Sequence, residues 1–182
     1  MESRTVFVGR ARELAELEAG LHDAIEGRGR LFLISGEPGI GKTRLADQLA
    51  DHAAASGARV LWGRCWEGDG APANWPWIQV VRALAAGTER ATLRSQVGAG
   101  APYLSQLVPE IGGEPPPAPP STSPESARFY LFDAVTTLLK RASAHQPVLL
   151  VLDDFHAADL PSLRLLQFLA RDLREARLLV FV

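Results

Sequence analysis

Residues Gly36-Glu37-Pro38-Gly39-Ile40-Gly41-Lys42-Thr43 spell G-x-x-x-x-G-K-T, and their flanks restrict the fold more than any other feature. The apolar run Leu31-Phe32-Leu33-Ile34-Ser35 precedes them and reads as a strand buried on both faces. A helical pattern follows from Lys42 to Ala55, with Leu45 and Leu49 on one face and Ser56-Gly57 as its stop. Glycines reach backbone angles closed to other residues and let the chain approach a ligand closely. A loop of this kind turns its N–H groups inward around an anion, and the next helix adds its positive end. The expected phosphate-binding set is therefore Gly36, Glu37, Pro38, Gly39, Ile40, Gly41, Lys42, Thr43 and Arg44. Lys42 is expected to reach the β- and γ-phosphates, and Thr43 to offer its hydroxyl to Mg²⁺. The 19 basic residues are 17 Arg and two Lys, Lys42 and Lys140, so a lysine at this position is a rare coincidence.

The 182 residues, 47% hydrophobic and 22% charged, suffice for one domain with a sizeable core. That composition excludes bulk disorder, collagen and a disulfide scaffold. A single cysteine, Cys65, forms no internal disulfide and suits a reducing cytoplasm. The net charge of −2 leaves no electrostatic footprint for nucleic acid or anionic lipid. The longest apolar runs, such as Val148 to Leu152, are far shorter than the ~20 residues of a membrane helix. Around Glu2, Arg4 and Arg10 no long apolar stretch marks a signal peptide.

Strands and helices alternate along the chain. Helices are expected over Arg10–Glu26 (Leu14, Leu17, Leu21 and Ile25 inward), Trp77–Ala86, and Ser123 to about Ser143. In the last of these Leu131, Phe132, Val135, Leu138 and Leu139 face inward, with Lys140 and Arg141 at the negative end. Short helices broken by Gly and Pro are expected over 87–108. Seven of the 13 prolines fall between Pro109 and Pro124, which reads as an extended loop and spacer. Strands are expected at Arg59–Gly63, Val148–Leu152 and Leu178–Val182. Asp159 caps a further helix with Leu163, Leu166 and Leu169 on one side. The pattern is α/β, a mostly parallel sheet with helices on both faces.

Asp153 and Asp154 end the Val148 strand. The carboxyl edge of an open parallel sheet holds the ligand crevice. Asp153 is thus the candidate Mg²⁺ ligand opposite Thr43, and Asp154 the candidate for orienting or deprotonating an attacking water. Lys42, Asp153 and Asp154 form the expected catalytic set.

Together these residues resemble the nucleotide-binding domain of bacterial signal-transduction P-loop ATPases. These are the AAA-like, STAND-type modules of large LuxR-type transcriptional regulators and cyclase-fused ATPases. Val6-Phe7-Val8-Gly9-Arg10 with Glu13 resembles the N-terminal motif of that family. Gly63-Arg64-Cys65, Pro72 and Trp75-Pro76-Trp77 resemble its segment after the second strand. Val148 to Asp154 with His156, Ala158 and Asp159 resembles its second acidic block. The resemblance implies a P-loop three-layer sandwich over residues 1–182, binding ATP and Mg²⁺ and switching or slowly hydrolysing. It places Val8 and Gly9 beside the adenine through main-chain contacts, with Arg10 supporting that pocket or approaching the nucleotide. Where many members carry Asp-Glu, this chain has Asp153-Asp154, which implies slow hydrolysis. It also implies that the sequence stops within the fourth of five core strands, so that the phosphate-loop strand has one uncovered edge and the chain alone is marginally stable. The helical lid and a helix-turn-helix or cyclase output domain would lie beyond it.

Other signals read more plainly. Trp62, Trp66, Trp75 and Trp77 read as a satellite core under a long loop rather than a partner patch. Glu67 and Asp69 read as solvated loop acids, and His156 as part of a local turn. Neither His22, His52, His145 nor His156 has metal-ligand spacing, and Cys65 reads as a small, partly buried residue. Competing functions are a P-loop small-molecule kinase and a non-catalytic nucleotide-binding or scaffold fragment.

Overall fold

A computed structural model describes residues 10–68, 70–112 and 123–182. Val8, Gly9, Asp69 and residues 113–122 of the proline-rich stretch lie outside the described residues. The elements run α1 (Ala11–Ile25), β1 (Arg30–Phe32), α2 (Lys42–Ala55), β2 (Arg59–Arg64), α3 (Trp75–Ala86), α4 (Arg90–Val97), α5 (Ala101–Leu107), α6 (Pro124–His145), β3 (Val148–Asp153), α7 (Leu160–Ala170) and β4 (Leu178–Phe181). Single 3₁₀ turns lie at Gly98–Gly100 and Phe155–Ala157.

The four strands form one parallel sheet in the order β1-β4-β3-β2. Successive side chains of a strand point to opposite faces, and the two interior strands use both. Leu149, Val151, Leu179 and Phe181 pack under Leu17 and Leu21 of α1 and Leu45 and Leu49 of α2. Val148, Leu150, Leu152, Leu178 and Val180 pack under α3, α6 and α7, through residues such as Trp77, Leu138 and Leu165. Helices therefore cover both faces, in the three-layer α/β arrangement of P-loop nucleotide-binding folds. Parallel strands need such crossovers, and the helices remove the apolar run of β3 from water.

Three caps set helix starts. Ser123 accepts from Ser126 N at 3.3 Å, Glu89 accepts from Ala91 N and Thr92 N, and Asp159 Oδ1 accepts from Ser162 N at 2.9 Å. Asp159 Oδ2 also accepts from Asn74 N, so one carboxylate fixes the starts of both α3 and α7. The indole of Trp77 donates to Ser162 O at 3.2 Å and ties the same two helices together inside the core. Gly63 lets α3 approach β2, since a Cβ there would lie 2.5 Å from Pro76 O.

Several expectations change. The run 31–35 is not a strand buried on both faces. Regular β1 ends at Phe32, its only strand neighbour among the described residues is β4, and Leu33 is 68% exposed. Backbone pairing still continues through Val182 N to Phe32 O (2.9 Å) and Ile34 N to Val182 O (2.7 Å). On α7 the buried stripe is Leu165, Leu166 and Leu169, while Leu163 is exposed. Lys140 and Arg141 serve neighbours rather than their own helix end. Lys140 pairs with Asp172 at 2.6 Å, and Arg141 donates to Gln96 O at 3.0 Å, at the end of α4. The tryptophans do not form one cluster. Trp77 is buried, Trp75 borders the same core, Trp62 borders the opposite one, and Trp66 is 61% exposed.

Candidate functional site

The phosphate-loop sequence makes a turn whose Gly39 and Gly41 have φ of 78° and 93°. Residues with a Cβ pay strain in this left-handed region, which accounts for glycine at both positions. Gly41 is also the N-cap of α2, so the loop ends where that helix presents its unpaired N–H groups. Lys42 folds its ammonium back on the loop, with Nζ donating to Gly36 O at 2.8 Å and Glu37 O at 3.1 Å. Arg10, at the N-cap position of α1, donates from Nη2 to Ile40 O at 2.9 Å and so props the loop from outside. Glu37, Ile40 and Arg44 are exposed.

Opposite the loop stands the end of β3. Thr43 Oγ1 donates to Asp153 Oδ1 at 3.2 Å, across 110 residues of sequence. The same oxygen accepts Asp154 N at 3.1 Å, while Oδ2 lies 3.5 Å from Arg64 Nε. A hydroxyl and a carboxylate oxygen side by side are a donor set for a hard divalent cation such as Mg²⁺. Asp154 is exposed, with φ of 53°.

A cavity of about 490 Å³ joins these parts. Gly36, Pro38 and Lys42 line one side, Asp153, Asp154 and His156 another, and Leu33, Phe181 and Val182 supply apolar wall. The exposed Leu33 is thus a wall of this cavity. The Cys65 thiol lies near three of the acids at this edge of the sheet. Burial first, then the charges of Asp159, Asp154 and Asp153, push its pKa up to about 11. Acidic groups at this edge suit a divalent cation, and an ammonium held in a glycine turn suits an anion.

Two residues have roles that local sequence did not suggest. His156 makes no local turn bond through its Nε2. That atom lies 3.1 Å from Glu67 Oε1, 89 residues away, so Glu67, exposed in its loop as expected, also pairs with a remote histidine. With Asp154 these two place three ligand atoms within 4.8 Å of one another, all on exposed side chains. Gln79 of α3 brackets Arg64, accepting its N–H at 3.3 Å and donating to its carbonyl at 2.8 Å. The order of the strands brings Glu67 and His156 together, so no short-range pattern announces that pair.

A larger groove of about 820 Å³, edged by Arg82, Arg90 and Arg94, shares no residue with the phosphate cavity. Size alone does not rank a candidate site, and the ammonium in the loop and the hydroxyl–carboxylate pair favour the smaller cavity. No described helix is long and apolar enough to cross a membrane.

A search of curated proteins finds no match to the chain. The family model of the AAA ATPase domain matches residues 6–182, nearly the whole sequence, and the chain belongs to that family.

Proposed function

We propose that this domain binds ATP with Mg²⁺ through Gly36–Thr43 and Asp153, and that it serves as the slow-hydrolysing switch of a cytoplasmic signal-transducing ATPase. The supporting observation is the 3.2 Å contact between Thr43 Oγ1 and Asp153 Oδ1, beside a loop whose Lys42 already lies in the cradle. Membership of the AAA ATPase domain family suggests nucleotide binding, and the resemblance to regulatory members carries the finer role.

In this reading the loop N–H groups and the start of α2 hold the β- and γ-phosphates. Lys42 exchanges its carbonyl partners for phosphate oxygens and balances the charge that develops on them. Thr43 and Asp153 hold the metal, which when bound neutralises charge on the phosphates. Asp154 orients the attacking water. Its side chain is one methylene shorter than glutamate, and slow turnover follows from that reach. Arg10 keeps the loop in shape through Ile40 O, and the resemblance assigns main-chain contacts with the adenine to Val8 and Gly9. A helical lid and a helix-turn-helix or cyclase output domain would convert nucleotide state into signal.

Calorimetric titration with ATP, on wild type and Lys42→Ala, tests the proposal. Wild type is expected to bind, and the variant to lose affinity by about 100-fold or more, as loss of a buried charge-assisted phosphate contact would cause. Equal binding by the two proteins, or none by either, would overturn it. Phosphate release without an added acceptor distinguishes an ATPase from a small-molecule kinase.

A further inference from the structure

Asp153 has a cationic neighbour that the ATP–Mg²⁺ reading does not use. Arg64 ends β2 in direct register with Asp153 on β3. Its backbone is pinned on both sides by the Gln79 amide, at 3.3 Å and 2.8 Å. Its side chain is more than half exposed. Nε lies 3.5 Å from Asp153 Oδ2, and the guanidinium carbon lies 5.3 Å from the centre of the Trp62 ring. Trp62 and Arg64 are two residues apart on one strand and share a face.

The other oxygen of Asp153 is held by Thr43 and by Asp154 N. A metal ion at Oδ1 beside Thr43 and the guanidinium at Oδ2 would thus compete for one carboxylate, whose single charge does not balance both. Arg64 has somewhere else to go. Asp47 and Asp51 of α2 line the same open groove as Arg64, Trp62 and Gln79. They sit four residues apart, on one side of the helix that begins at Lys42.

We propose that Arg64 is a displaceable cation on the metal-facing carboxylate. It occupies Asp153 before the metal arrives, then swings across Trp62 toward Asp47 and Asp51 as divalent cation binds. This rests on the ATP–Mg²⁺ reading. It makes Arg64 a positioning residue, and it couples metal loading to the face formed by α2, β2 and α3.

The experiment is a Mn²⁺ titration of the ATP-bound chain, with free Mn²⁺ read by electron paramagnetic resonance. Arg64→Gln should bind Mn²⁺ about three- to fivefold more tightly than wild type, which is what a half-exposed ion pair is worth. The gain should shrink in about 0.5 M KCl. Arg64→Lys, which keeps the charge, should stay within about twofold of wild type. A second variant, Asp47→Asn with Asp51→Asn, leaves Arg64 and Asp153 intact and removes the alternative anchor. It should weaken Mn²⁺ binding about twofold. ATP affinity in EDTA should be the same for the Arg64 variants and wild type. Unchanged or weaker Mn²⁺ binding by Arg64→Gln, with ATP binding in EDTA retained, would overturn this proposal alone. So would unchanged or tighter Mn²⁺ binding by the α2 variant, which decides the matter should Arg64→Gln fail to fold. Failure of wild type to bind ATP at all would overturn the nucleotide reading and this proposal with it.

Discussion

Two apolar runs of similar length, Leu31–Ser35 and Val148–Leu152, end at the two halves of the phosphate site and meet opposite fates. The second becomes β3, with strands on both sides, helices on both faces, and Val148 to Leu152 all buried. The first becomes the short edge strand β1, with Arg30 and Leu33 exposed. Composition does not separate the two runs; neighbours do. The buried strand carries Asp153, the carboxylate proposed to face the metal, which needs a fixed position. The edge strand leads into a loop that must yield to a ligand, and its looser packing suits that task.

Substitutions should exaggerate the contrast. The largest effect is expected at Leu150, fully buried at the centre of β3. Leu150→Ala should cost about 3–4 kcal/mol in urea unfolding and lower the thermal midpoint by about 10 °C. A loss below about 1 kcal/mol would mean that β3 is no more constrained than β1. Next comes Cys65, just past β2, whose N–H donates to Asp153 O at 3.1 Å. Burial and three aspartates disfavour its thiolate, so alkylation at about pH 8 should be at least about tenfold slower than in the denatured chain. The sign for stability follows. The thiol's contribution is complete below its unfolded value of 9.0 and fades as pH climbs toward about 11, so the native state should weaken over that interval unless Cys65 is replaced by Ser. Equal alkylation rates would place this end of the sheet in water, as Leu33 is. The smallest effect is expected at Leu33, where Leu33→Ala should change stability by less than about 0.5 kcal/mol. A larger loss would show that the edge strand is held as firmly as the centre.

The sequence makes legible what local chemistry decides. The loop glycines, the start of α2 at Lys42, and the Ser123 and Asp159 caps each rest on a backbone angle or a hydrogen bond within a few residues. The two halves of the sheet edge, Thr43 and Asp153, are also legible, because parallel α/β topology brings strand ends together. What escapes is lateral position. The apolar run at 31–35 does not reveal that β1 has one neighbour. Leu163 fits the helical period of α7 as well as Leu165 does, and only the packing of α7 against α3 and α6 chooses between them. The pairs Glu67–His156 and Arg64–Asp153 span 89 residues each and depend on β2 lying beside β3.

Gln79 shows what the fold does with an exposed ladder. By accepting from Arg64 N and donating to Arg64 O, its side-chain amide imitates the peptide group of an absent neighbour strand. The last rung on the outer rim of β2 is thereby already taken. Nothing comparable spans the outer rim of β1 among the described residues. Among the described residues an incoming strand would therefore meet one occupied rung on β2 and none on β1, beside the phosphate loop.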